Sequence, residues 1–122
     1  MKPGSIRWME IPTANLEQSC AFYEKVFGWK TRASGHWPNY AFFDDPDEHA
    51  VGGFDASLKP QGEEGFRLFI LVEDVDEALA KIEAAGGRTA HPKELIHEEV
   101  GWWGAFHDPS GNYLCLWERP KK

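Results

Sequence analysis

Two stretches decide the fold: Asn15-Leu16-Glu17-Gln18-Ser19-Cys20-Ala21-Phe22-Tyr23-Glu24-Lys25-Val26-Phe27-Gly28 and Asp74-Val75-Asp76-Glu77-Ala78-Leu79-Ala80-Lys81-Ile82-Glu83-Ala84-Ala85-Gly86-Gly87. Each opens on a residue suited to the N-cap and carries Gln18 or Glu77 three places later, as in a capping box. Each closes on glycine, which readily takes the left-handed conformation that ends a helix. Between the caps, Leu16, Ser19, Cys20, Tyr23 and Val26 fall on one helical face, and so do Val75, Ala78, Leu79, Ile82 and Ala85. Corresponding residues are 59 positions apart throughout: Asn15 and Asp74, Leu16 and Val75, Tyr23 and Ile82, Gly28 and Gly87. Caps, stripe and stop agreeing at one offset identify a duplicated unit.

Around each helix the pattern is strand-like. Residues 6–12 and 67–72 precede the helices; 30–32, 40–43 and 50–54 follow the first, and 88–90, 102–106 and 113–118 follow the second. Asp108-Pro109-Ser110-Gly111 has type I turn chemistry and joins the last two strands. Residues 33–39, 44–49, 55–65 and 91–101 read as loops. The expectation is an α+β chain of two βαβββ modules, about 5–58 and 64–119, forming a single domain over 1–122. Side-chain alternation then sorts the strands. Met9, Ile11, Leu68, Ile70, Val72, Leu114 and Leu116 belong under the helices. Trp8, Glu10, Pro12, Arg67, Phe69, Leu71, Tyr113, Cys115 and Trp117 are left on the opposite face. An acid, a guanidinium and a thiol among aromatics suit a pocket better than a core.

Composition narrows the function. The chain has 122 residues, 42% of them hydrophobic, and a net charge of −7. There is no basic cluster beyond Lys121-Lys122, which argues against a nucleic-acid partner. The apolar run at 68–72 is far too short to cross a bilayer, and nothing resembles a signal region at the start. Two cysteines make no disulfide framework, so a reduced, cytoplasmic chain is expected. Six tryptophans imply large packing elements in the core or a dimer interface, an aromatic-lined site, or some of each.

The run Glu10-Ile11-Pro12, with Asn15-Leu16-Glu17 and Phe22-Tyr23-Glu24-Lys25-Val26-Phe27-Gly28-Trp29, resembles the first βα unit of the vicinal oxygen chelate superfamily. Val72-Glu73-Asp74-Val75-Asp76-Glu77-Ala78 resembles its second helix start, and the stretch from Gly101 through His107 to Asn112 its last hairpin. That superfamily includes glyoxalase I, extradiol dioxygenases, and fosfomycin- and bleomycin-resistance proteins. The resemblance implies a cupped mixed sheet, usually in a homodimer, with the site inside the cup. In metal-dependent members it implies a divalent ion held by His and Glu on the first and last strands of each module. Here the first-strand positions fall on Trp8 and, 59 further on, Arg67. The last-strand position of the second module falls on Cys115, and that of the first lies near Val51-Gly52-Gly53, with a glycine as its occupant. Tryptophan, arginine and glycine offer no ordinary ligand atom, and one thiolate does not hold a divalent ion. No metal and no other cofactor is therefore expected. An improvised set of Glu10, His107 and Cys115 is the alternative. The acidic run at 44–49 lacks the ligand periodicity of a calcium loop and reads as a solvated turn.

Three functions stay open. The resemblance to the bleomycin-resistance branch implies a metal-free cup that sequesters a small aromatic or cationic molecule. Trp8, Glu10, Phe69, Trp103 and Trp117 would stack on it and pair with its charge, with Arg67, His107 and Cys115 on the same lining. In the empty pocket Glu10 is alternatively paired with Arg67. A lyase or isomerase of the glyoxalase type is the second, either metal-dependent or using Glu10 as general base with Arg67 stabilising an oxyanion. A non-catalytic dimeric module is the third. Cys115 reads either as a reactive thiol activated by Arg67 or as a small buried hydrophobe.

Overall fold

The structure, a computed structural model, describes residues 2–3, 5–47 and 50–121. It divides into two compact units, residues 1–59 and 60–122. In the first, β1 (Met9–Pro12) leads into α1 (Leu16–Phe27), then β2 (Lys30–Ala33), β3 (Tyr40–Asp44) and β4 (Ala50–Asp55). In the second, β5 (Phe69–Leu71) leads into α2 (Val75–Ala84), then β6 (Arg88–His97), β7 (Gly101–His107) and β8 (Tyr113–Glu118). The two sheets have matching orders, β1-β4-β3-β2 and β5-β8-β7-β6, with the first pair parallel and the others antiparallel in each.

The helices form where the caps direct. Asn15 Oδ1 accepts from the Gln18 amide at 2.9 Å, and Asp74 Oδ1 from the Glu77 amide at 3.2 Å. Gly28 ends α1 in the left-handed conformation at φ 73°, while α2 stops at Ala85 and the turn passes to Gly86 at φ 105°. Each helix buries its stripe on one face of its sheet. In the first unit Tyr23 stacks on Trp29, and Trp29 on Phe43, each pair with ring centroids 4.7 Å apart. In the second unit Val75, Leu79 and Ile82 are buried, as are Phe106, Leu114 and Leu116. Each such side chain contributes about 1.5–3 kcal/mol when fully buried.

Three expectations are corrected. β1 and β5 are shorter than residues 6–12 and 67–72, because their ladders run only over Met9–Pro12 and Phe69–Leu71. Single hydrogen bonds, Cys115 N–H to Leu68 O and Val72 N–H to Trp117 O, still tie down both flanks of β5. β6 runs to His97, so much of the expected loop at 91–101 is strand. Pro92 is accommodated because the register shifts between Thr89 and His91 and again between His91 and Glu94, leaving it outside the paired positions.

Candidate functional site

The open face of the first sheet carries a cleft. Glu10 stands opposite Gly53 across β1 and β4, Phe42 opposite Gly53 across β3 and β4, and Tyr40 opposite Asp55. Register therefore puts Glu10, Tyr40, Phe42, Gly53 and Asp55 on one side, away from α1. A cleft of about 550 Å³ opens there. Trp8, Trp37, Tyr40 and Phe42 supply aromatic walls, and Glu10 and Asp55 two carboxylates, with Pro38, Asn39 and Ser57 completing the lining. Among the described residues no Lys, Arg or His lines it. The nearby Arg32 is engaged elsewhere, against Asp44 at 2.9 Å and over the Phe42 ring at 5.0 Å.

A hydrogen-bonded chain organises this cleft. Trp8 Nε1 donates to the Tyr40 hydroxyl at 2.9 Å, and that hydroxyl donates to Glu10 Oε2 at 3.0 Å. Trp8 and Tyr40 both meet Phe42 edge-on, at 6.1 and 5.4 Å between ring centroids, and Trp37 meets Tyr40 at 6.2 Å. Partial burial raises the Tyr40 phenol above its ordinary value, with Glu10 adding to the rise and the Trp8 hydrogen bond opposing it. The phenol stays protonated and keeps donating to Glu10. Asp55 Oδ1 is occupied by the Ser57 amide and hydroxyl, at 2.8 and 2.6 Å. Trp8 is 39% exposed and Trp37 58% exposed, so both present ring surface to solvent. Trp29, by contrast, belongs to the core.

The open face of the second sheet has a different character. Phe69, Cys115 and Ala105 stand side by side across β5, β8 and β7; Leu71, Trp117 and Trp103 form the next row, and Tyr113 faces His107. The Arg67 guanidinium lies 5.9 Å from the Trp103 ring centroid and 5.8 Å from that of Tyr113. His91 stacks on Trp103 at 4.1 Å, and Trp117 Nε1 donates to Val100 O at 2.9 Å. Cys115 is fully buried. Burial pushes its thiol up, outweighing the opposite pull of Arg67 and Tyr113, so it is not an activated nucleophile.

The structure thus gathers Trp8 and Glu10 in the first unit, and Arg67, Phe69, Trp103, His107, Cys115 and Trp117 on one face of the second. Tyr40, Trp37, Phe42 and Asp55 were not among the residues singled out from sequence. Alternation along the strand at 40–43 places Tyr40 and Phe42 opposite Ala41 and Phe43, and was a usable signal. Trp37 sits in an irregular segment that carries no such signal.

Register also locates the metal-ligand positions that the resemblance implies. Gly53 stands against Glu10 as Cys115 stands against Phe69, and Glu10 and Phe69 are themselves 59 apart. The set is Trp8, Gly53, Arg67 and Cys115, whose only donor atom is a buried thiol sulfur with a raised pKa. These residues do not fit a divalent ion. Of the alternative set, His107 and Cys115 share the second sheet, while Glu10 belongs to the first. Among the described residues no three His, Cys, Asp or Glu side chains group as a metal site. Glu48 and His49 of the acidic run lie outside the described residues.

Two βαβββ modules with these strand orders define the glyoxalase/bleomycin-resistance fold. The chain belongs to the Glyoxalase/Bleomycin resistance protein/Dioxygenase superfamily, whose model matches residues 5–116. A glyoxylase-like domain-containing protein of Didymella fabae is 27% identical over 131 residues, 98% of this chain and 97% of that protein. CFP32 of Mycobacterium bovis is 31% identical over 113 residues, 88% of this chain but 41% of its own length. The chain thus spans about two fifths of that relative. A family enzyme from Burkholderia phytofirmans PsJN shares the fold with a TM-score of 0.73 at 20% identity, covering 93% of this chain and 97% of its own. SA1046 of S. aureus does so with a TM-score of 0.73 at 16% identity, covering 96% and 99%. Among the described residues no helix is long and apolar enough to cross a membrane.

Proposed function

We infer that the chain binds a small, flat, positively charged molecule in the first-module cleft, without a resident metal. One observation carries the reading: a cleft of about 550 Å³ lined, among the described residues, by four aromatic side chains and two carboxylates, and by no cationic residue. Rings at its walls attract a cation through their negative faces, and a carboxylate beside them adds direct charge pairing. The chain from Trp8 through Tyr40 holds Glu10 in place before the ligand arrives, which lowers the ordering cost of binding. The resemblance adds a homodimer to the reading, and two free cysteines support a reducing, cytoplasmic setting.

Calorimetry and tryptophan fluorescence with benzylammonium, benzyl alcohol and benzoate test it. Benzylammonium is expected to bind and quench, benzyl alcohol to bind more weakly, and Glu10→Gln to weaken the amine about tenfold while leaving the alcohol unchanged. Equal affinity for amine and alcohol would sink the reading. Glu10 as general base is separated in the same variant: turnover lost with binding retained would favour catalysis over sequestration.

A further inference from the structure

The two carboxylates of the first-module cleft are each half used. Glu10 Oε2 accepts from the Tyr40 hydroxyl at 3.0 Å, and Asp55 Oδ1 from the Ser57 amide and hydroxyl at 2.8 and 2.6 Å. Among the described residues nothing donates to Glu10 Oε1 or to Asp55 Oδ2. An ionised carboxylate offers two acceptor oxygens and no donor, so each acid keeps one oxygen for whatever enters the cleft. Neither has an ion-pair partner among the described residues, since Arg32 is bound to Asp44 at 2.9 Å.

Register fixes their spacing. Glu10 stands opposite Gly53 and Pro12 opposite Asp55, so Asp55 lies two residues further along the ladder on the same face. Two residues advance a strand by roughly 6.5 Å. Tyr40 starts opposite Asp55, lies over Gly53 and ends with its hydroxyl on Glu10, so its ring spans from one acid to the other. Burial raises the Tyr40 phenol most, and both acids add to the rise through space, which places both in its field. A ligand with one ammonium compensates one acid and leaves the other facing it unpaired. A second cationic group across the ligand's ring removes that imbalance.

We propose, on the cation-binding reading given above, that the ligand of this cleft is an aromatic diammonium, with one cationic group taken by Glu10 Oε1 and the other by Asp55 Oδ2. The probes are p-xylylenediammonium and 4-methylbenzylammonium, which share a ring and a size but carry two charges and one. Both are titrated into the full chain by calorimetry, with the Trp8 and Trp37 indole N–H signals followed by NMR. The diamine is expected to bind about five- to tenfold more tightly, and its affinity to fall more steeply with added salt. Asp55→Asn keeps the oxygen that Ser57 uses but not the charge, and is expected to bring the affinity ratio of the two amines close to unity. Asp55→Glu is expected to keep part of the advantage. The salt comparison uses the unaltered chain and so decides the matter where a variant fails to fold. Equal affinity of both amines for the unaltered chain, or a diamine advantage that survives Asp55→Asn, would overturn the proposal, while binding of the monoamine would leave the single-cation reading standing. Absence of binding by either amine would overturn both.

Discussion

Gly53→Ala reverses sign according to what lies across from it. A Cβ at this position would fall under 3.0 Å from Cε2, Cζ and the hydroxyl of Tyr40, where ordinary contact is 3.4–4 Å, and these are its three nearest atoms. Gly53 does not have a positive φ, so the backbone itself accepts alanine. On chain entropy alone the substitution would stabilise by about 0.4–1 kcal/mol. The clash acts against this gain. Tyr40 must swing off the strand, giving up hydrogen bonds to Trp8 and Glu10 at about 0.5–1.5 kcal/mol each and its edge contact with Phe42 at about 0.5–1.5 kcal/mol. These groups are partly exposed, so the low ends apply, and the net effect is a loss of roughly 0.5–1 kcal/mol, read as a drop of a few degrees in Tm. Affinity for benzylammonium falls with it, because Glu10 loses the phenol that positions it. In a Tyr40→Ala background the clash is gone, and the same Gly53→Ala change is expected to be neutral or stabilising. Thermal melts and calorimetry on the four-member cycle measure this. If Gly53→Ala stabilises the wild-type chain, or costs the same with and without Tyr40, the reasoning is wrong.

The helix ends and the buried thiol give two further tests. Asp74 is held below its ordinary value of 3.8 chiefly by the Glu77 amide, and Glu83 below 4.5 by the Thr89 amide and hydroxyl. A lowered folded-state value means stability present above the ordinary values and lost as pH falls through the lowered ones. Melting temperature is therefore expected to fall below about pH 4. Asp74→Asn with Glu83→Gln should flatten that fall while keeping the cap, since Asn caps as well as Asp; an unchanged acid slope would refute the assignment. Cys115, buried with its thiol pushed up, is expected to resist iodoacetamide at pH 8 in the folded protein and to react once unfolded. Peptide mass mapping reads this directly, and labelling at the rate of a free cysteine would contradict the buried environment.

How much of this was legible depended on whether a feature repeats. Caps and stripes at an offset of 59 fix both helices, because those residues satisfy local demands that the chain meets twice. The same alternation assigns Cys115 and Glu10 to open faces. Gly53 was legible only as a region, since the loops before it have no counterpart of equal length in the second module. The extension of β6 was hidden because Pro92, with charged neighbours, looks like a loop; only the paired strand reveals the register shifts that accommodate it. Trp37 and Asp55 were missed for a different reason. Their place in the cleft follows from where Tyr40 lies over Gly53, a tertiary relation that no periodicity encodes.

The duplication also explains why the two faces are free to differ. Residues that pack under a helix are held to type by the core, and there the modules agree: Leu16 with Val75, Tyr23 with Ile82. Residues on the open faces contribute little to that core, and there positions 59 apart diverge in charge, size and chemistry: Trp8 against Arg67, and Glu10 against Phe69. Gly53 and Cys115, matched by strand register, diverge as well. The glycine leaves room for an aromatic ring over β4, while the thiol fills the corresponding space in β8. The residues at both ligand-bearing positions of each module do not fit a divalent ion, while the first module keeps a cleft. The first face accordingly presents carboxylates among aromatic walls, and the second an exposed guanidinium near two rings. On the function proposed above, a ligand's positive charge, more than its shape, directs it to the first face.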